Sequence, residues 1–280
     1  MANVTGTVTS ITRGGTTFHS YEAPEAGFRV NSHIVETASE LTIIDAQLAL
    51  PFAEEVVSVV REIGKPVARI IITHGHPDHF SGLQVVHAAF ADAPILAIQK
   101  TRDYMTEWAQ PVLDARRAAF GDIIAAHAVY PTDTLEAGAS TLGELTLFVE
   151  EVDEAEAHAQ ALITFPAERV LASADTVVAP GYHLFLVHEG ADNTDNWIAL
   201  LERIAARTDI DTVLTGHGPT TDPASAAASG IEWLRAAKEA RAVSPDAAAY
   251  AERIKARFDG YRDPIWADFA SQMLYGLINP

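Results

Sequence analysis

The chain has 280 residues, 48% of them hydrophobic, which is enough for one large core, and its 38 acidic against 19 basic residues give a formal charge of -19. A field of that sign repels phosphate backbones, so nucleic-acid processing is disfavoured and small neutral or cationic substrates fit better. The absence of cysteine excludes disulfides and thiolate metal ligands. There is no apolar run of about 18 residues and no basic-then-apolar leader pattern, so the expectation is a cytoplasmic protein engaging neither membrane nor nucleic acid.

Alternating and β-branched residues predict strands over Val4 to Thr12, Thr16 to Tyr21, Asn31 to Glu36 and Leu41 to Ile44. Asp45 follows the last of these, either as a turn residue that starts a helix or as a partner orienting a nearby loop. Phe52, Val56, Val59, Val60 and Ile63 keep a helical period between Pro51 and Gly64. The apolar run from Val67 to Ile72 reads as a buried strand, and it delivers Thr73-His74-Gly75-His76-Pro77-Asp78-His79. His74 and His76, two apart in an irregular loop, can point into one hollow, with Asp78 and His79 serving a neighbouring point. That donor set suits two divalent ions.

A helix through Leu83, Val86 and Phe90 follows, with His87 assigned no chemistry, and then a short strand from Ile95 to Ile98. Residues 101–126 depart from the strand-helix rhythm: Tyr104, Met105, Trp108, Val112, Leu113 and Phe120 have mostly helical spacing, and Pro111 is expected to kink or divide the helix. This segment reads either as a helical pair closing an edge or as a lid whose Tyr104, Met105 and Trp108 line a substrate pocket. Arg116 and Arg117 diverge, being adjacent on a helix, and read as a solvated face. His127 has no assigned role.

Strands resume at Leu145 to Val149, Ala161 to Phe165 and Val170 to Ala174. The first two flank an acidic turn with one histidine, His158, just ahead of a strand. Asp175 ends the third strand, where a carboxylate is costly unless paired or metal-bound. In the loop 178–183, Tyr182 or His183 is a candidate hydrogen-bond donor to a developing oxyanion, and His188 is a weaker one. An amphipathic helix follows from Asn193 to Ala206, with Asp192 or Thr194 near its start. The strand Thr212 to Thr215 leads into Gly216-His217-Gly218, whose glycines leave the imidazole free to project. Three alanine-rich helices close the chain (Ser225 to Ala242, Pro245 to Phe258, Pro264 to Leu277), with Trp233, Trp266 and Phe269 among residues read as packing or as a self-association surface.

The stretch 73–79 resembles the HxHxDH signature of the metallo-β-lactamase-fold superfamily, and further residues follow in that family's order. The resemblance implies an α/β fold, an αββα sandwich over residues 1–222 with a helical insert at about 101–126 and C-terminal helices 223–280 packed on it. It implies a dinuclear site of two divalent metal ions, zinc above iron or manganese, with His74, His76 and His158 on one, Asp78, His79 and His217 on the other, and Asp175 between. Asp45 then orients the metal loop. Asp175 matches the bridging aspartate of the lactonase and glyoxalase II branches, which many true β-lactamases lack. One departure stands out: Ala157-His158-Ala159 replaces the family's glycine-histidine-threonine. The implied activity is hydrolysis of a small-molecule substrate (lactone, ester, thioester or amide) by a metal-activated hydroxide, with Asp78 orienting it or returning a proton. The competing readings are a mononuclear iron sulfur dioxygenase of the same fold, with a flavodiiron-type oxidoreductase further behind, and a metal-stabilised binding or regulatory protein with little turnover.

Overall fold

The apolar run made of the strand Val67–Ile71 and Ile72 after it shows how the molecule is layered. Ile70 and Ile72 pack toward helices, while Ile71 between them packs toward a second sheet, the two-faced burial expected of an apolar run in a parallel sheet. The structure, a computed structural model, describes residues 5–186 and 193–277. Val4, His188 and Asp192 lie outside the described residues.

In chain order the elements are β1 Thr7–Arg13, β2 Thr16–Glu22, β3 Asn31–Glu36, β4 Leu41–Ile44, α1 Leu50–Ile63, β5 Val67–Ile71, α2 Pro77–Phe80, α3 Leu83–Ala89, β6 Ile95–Ala97 and α4 Gln99–Phe120. There follow β7 Asp133–Thr134, β8 Gly138–Leu142, β9 Leu145–Asp153, β10 Ala159–Phe165, β11 Val170–Ala172, α5 Thr194–Ala205, β12 Thr212–Leu214, α6 Pro223–Val243, α7 Ala247–Arg257 and α8 Ile265–Leu274. One sheet runs β1-β2-β3-β4-β5-β6-β7 and the other β12-β11-β10-β9-β8. Phe18, Ile44, Ile71, Ile163, Phe165 and Leu214 fill the space between the sheets. Val56, Val60, Leu83, Val86 and Leu113 cover the outer face of the first. Trp197, Leu201, Trp233 and Tyr250, from α5, α6 and α7, cover that of the second around Leu162, Leu171 and Val213. This is the αββα sandwich. Among the described residues no helix is long and apolar enough to cross a membrane.

Two expectations change. Helix α4 runs through Pro111 as one element; Pro111 is exposed, so its ring sits on the solvent side, where the missing N–H is least costly. Strands β7 and β8 were not anticipated. The first is two residues long, and the second is a half-exposed edge strand over Gly138-Ala139-Ser140-Thr141-Leu142, too weakly apolar to stand out.

The arrangement puts the ends of β4, β5, β11 and β12 on one edge of the sandwich. All four belong to the parallel-paired parts of the sheets, and the open side of such strand ends is where α/β sheets collect functional side chains.

Candidate metal centre

The loop after β5 is stitched across both sheets. Ala161 N–H donates to Thr73 O at 2.9 Å, and His74 bridges to Gln160, so the start of β10 is held against the histidine loop. Pro77, the first residue of α2, starts the turn that lifts Asp78 and His79 out of the loop.

Asp45, in the left-handed region at φ 61°, ends β4 beneath this loop. Its carboxylate accepts from Thr73 N at 2.9 Å, from Thr73 Oγ1 at 2.8 Å and from His79 Nδ1 at 2.9 Å. On the opposite side His217 Nδ1 donates to Phe28 O at 2.7 Å. Each bond fixes one ring nitrogen as the donor and leaves Nε2 facing inward. The His217 loop is held further by Asn31, whose Nδ2 donates to Thr215 O and Gly218 O at 2.8 and 2.6 Å. A Cβ on Gly216 would collide with the Asp175 carboxylate, which is why glycine stands beside His217.

The inward atoms form two groups, each of four potential ligand atoms lying within 4.8 Å of one another: His74, His76, Glu156 and Asp175, and Asp78, His79, Asp175 and His217. Asp175 belongs to both, its oxygens 3.2 Å from His79 Nε2 and 3.2 Å from His217 Nε2. His74 Nε2, His79 Nε2, both Glu156 oxygens and Asp175 Oδ1 are buried without a hydrogen-bond partner among the described residues. Leaving so many polar atoms unpaired is expensive at about 1 to 3 kcal/mol each, and a divalent ion in each group is what this donor set fits.

The charges are tightly interlocked. Burial pushes the His76 imidazole down, but Glu156, Asp78 and Asp175 outweigh it and raise it to about 9. Burial likewise opposes His79 and His217, yet the acids, Asp175 foremost, hold both well above the usual range. The Asp175 carboxyl is pushed up by burial, but His79 and His217 hold it well below the usual carboxylate range. Burial and its imidazolium neighbours lower His74. In this arrangement protons on imidazoles balance the carboxylates, and a divalent ion bound in either group would displace them.

Among the expected ligands the structure brings together His74, His76, Asp78, His79, Asp175 and His217. It does not bring in His158. That side chain is 56% exposed and turns to Glu154 at 2.6 Å, whereas Glu156 is 1% exposed with Oε1 3.2 Å from His76 Nδ1. The cause is hairpin register. Asp153 pairs with Ala159, leaving residues 154–158 as the loop, closed by Glu154 N–H to His158 O. Its middle residue is Glu156, which the loop presents to the histidines, while His158 at the strand edge faces out.

A cleft opens over His76 and Asp78, walled by Phe28, Tyr104, Val112, Phe185, Trp266 and Phe269. Of the expected pocket residues only Tyr104 lines it. Met105, about 100° round the helix from Tyr104, is fully buried in the core, and Trp108, although one turn on from Tyr104, is 47% exposed and does not line the cleft. Arg116, read as a solvated residue, lines the cleft, while Arg117 turns away to Ile124 O and Asp122. Tyr182 packs in the core against Gly218, and its ring lies 5.8 Å from the Arg262 guanidinium. His183 is buried, accepts from Trp233 Nε1 at 3.2 Å, and borders an interior void beside Glu156, Asp175 and His217. Neither Tyr182 nor His183 lines the cleft.

The model of the metallo-beta-lactamase superfamily matches residues 26–241. A curated protein from Bacillus subtilis, the uncharacterized protein YobT, is 35% identical over 74 residues, which cover 26% of this chain and only 31% of that protein. Similar solved structures include a metallo-beta-lactamase from Pontibacter korlensis (18% identity, TM-score 0.62, 82% of this chain and 99% of that one). Another is the FIM-1 metallo-beta-lactamase from Pseudomonas aeruginosa in its mono-zinc form (16%, TM-score 0.59, 84% and 97%). At these identities the likeness concerns the fold. With the family model spanning most of the sequence, the chain belongs to the metallo-beta-lactamase superfamily.

Proposed function

We propose that the protein is a dinuclear metal-dependent hydrolase that cleaves a small carbonyl substrate: an ester, lactone, thioester or amide. The observation that carries this reading is the pair of four-ligand groups sharing Asp175 beneath an apolar cleft. Two divalent ions held by these residues would supply a water acidic enough to ionise near neutral pH and an electrophile for the carbonyl oxygen. Zinc suits the imidazole-rich donor set, and the mono-zinc form of FIM-1 supports it.

The chain's own residues do the rest. Asp45 and the Phe28 carbonyl fix the ring tautomers of His79 and His217. Asp78, 14% exposed at the cleft floor, is placed to orient the nucleophile and to return a proton to the leaving group. Phe28, Phe185 and Trp266 keep water from the reacting carbonyl. A mononuclear iron oxygenase needs one such group, and the complete second group argues for two ions.

Elemental mass spectrometry on protein purified without chelator or immobilised metal tests this, paired with hydrolysis assays on esters, lactones and thioesters. About two divalent ions per chain, with hydrolysis lost on chelation and restored by metal, is the expected result. One iron per chain with oxygen uptake on persulfides would replace this reading with the dioxygenase, and stoichiometric metal without turnover on any substrate would make the site structural or regulatory.

A further inference from the structure

The cleft has one feature that carbonyl hydrolysis does not require. Tyr104, Val112, Arg116 and Phe120 all line it from α4, and Val112, Arg116 and Phe120 follow one another at intervals of four, each one turn on from the last. Tyr104 stands against Gly75 in the histidine loop, where a Cβ would strike its ring. Arg116 lies twelve residues further on, about 18 Å along the axis at 1.5 Å per residue, so its long side chain enters the cleft from the end away from that loop.

Arg116 is also unmatched. At the helix positions that could reach it stand Val112, Leu113, Ala119 and Phe120, and no carboxylate of the described residues pairs with it. Several other cations of this acidic chain are paired: Lys65 with Glu36, Arg69 with Glu40, Arg117 with Asp122, Arg169 with Asp211 and Arg207 with Asp209. A half-buried guanidinium among aromatic and aliphatic walls, in a protein with twice as many acids as bases, is poorly placed without an anion. Its planar fork matches a carboxylate in a way no other wall residue does.

We propose that the substrate is an amphipathic carboxylate, with Arg116 binding a carboxylate carried at the far end of an apolar body from the carbonyl that is hydrolysed. The hydrocarbon or aromatic body lies against Phe28, Trp266 and Phe269, and the carbonyl reaches the floor at His76 and Asp78. The bulk acidic field gives anions no help in approaching, so this local cation, and no long-range steering, makes the selection. The assignment of a hydrolysed carbonyl rests on the function proposed above; the assignment of the anion site does not.

The test compares mono-p-nitrophenyl esters of suberic and sebacic acids with their terminal N-methylamides, on the metal-containing wild type, Arg116→Gln and Arg116→Lys. The wild type is expected to prefer the acids. Arg116→Gln should raise KM for the acids roughly 10- to 100-fold, the usual worth of a hydrogen-bonded charge pair, with a much smaller effect on the amide series, and Arg116→Lys should retain part of the preference. Equal effects on both series, or a wild-type preference for the amides, overturns the proposal. Calorimetric binding of octanoate against octanamide is independent of turnover: octanoate should weaken by a similar factor in Arg116→Gln. Octanoate binding indifferent to Arg116 means that the carboxylate sits elsewhere and sinks the idea. Arg116-dependent octanoate binding without hydrolysis of any ester would leave this site standing and remove the hydrolase reading alone.

Discussion

The Glu156 carboxylate stands 3.2 Å from the His76 ring, buried and with neither oxygen hydrogen-bonded among the described residues. Glu156→Gln removes one negative charge and a potential ligand atom while keeping the shape of the loop. Elemental analysis should then show loss of metal from the group of His74 and His76, with affinity reduced by at least about 100-fold, more than the 10- to 100-fold typical of an outer partner. His158→Ala, at an exposed position, should leave metal content unchanged. If His158→Ala depleted metal and Glu156→Gln did not, the histidine would be the ligand after all.

These two residues also mark how far the sequence could be read. The loop 73–79 announces itself because its histidines, aspartate and preceding apolar strand are contiguous, and His217 because glycines flank it. Asp45 and Asp175 were readable as carboxylates at the ends of apolar strands, where they need partners. Glu156 was hidden because its position depends on the pairing of Asp153 with Ala159, a register set by β9 and β10 together. The cleft was hidden for a related reason. Its aromatic wall comes from Phe28, Phe185 and Trp266, whose rings meet at 4.6 Å between Phe28 and Trp266 and at 4.6 Å between Phe185 and Trp266. No local pattern says that α8 folds back onto the loop before β3.

Asp45 joins three donors from the metal loop, so its removal should be felt at the metal centre although it is not among the two ligand groups. Asp45→Asn is the clean change, because asparagine tolerates the left-handed backbone at φ 61°. The amide replaces one acceptor oxygen with a donor, leaving either Thr73 or His79 facing N–H against N–H. Metal affinity should fall about 10- to 100-fold, and stability by about 1 to 3 kcal/mol. Competition with a chromogenic chelator and denaturant unfolding measure the two; an unchanged affinity would show that the His79 tautomer is fixed by something else.

His33 gives a pH dependence away from the metal ligands themselves. It is buried, its Nδ1 accepts from Ser20 Oγ at 2.9 Å and its Nε2 donates to Thr215 O at 3.1 Å, a neutral tautomer with both nitrogens satisfied. Burial is the main reason its imidazole is lowered from 6.5 to about 4. Between those values the unfolded chain takes up a proton that the folded chain refuses, so stability rises with pH through this window. The contribution is fully present above pH 6.5 and fades as pH falls toward 4, amounting to about 3 kcal/mol. In denaturant unfolding from pH 4 to 7, His33→Gln should show a shallower slope than wild type over that range; parallel curves would mean that His33 is not what titrates.

Trp266 separates the cleft from the metal centre as a target for mutation. Its ring packs between Phe28 and Phe185 and lies 6.2 Å from His217, but it supplies no polar atom to either ligand group. Trp266→Ala removes apolar wall and leaves a cavity, so a stability loss of about 3 to 5 kcal/mol is expected. Trp266→Leu keeps part of the volume and is the variant to assay. On esters with long apolar acyl groups its KM should rise about tenfold, the worth of roughly two buried methylene groups, while acetyl esters and metal content stay near wild type. A matching loss on acetyl esters would show that the indole acts through His217, by way of the Phe28 carbonyl that holds it, and would move Trp266 from the substrate wall to the support of the metal centre.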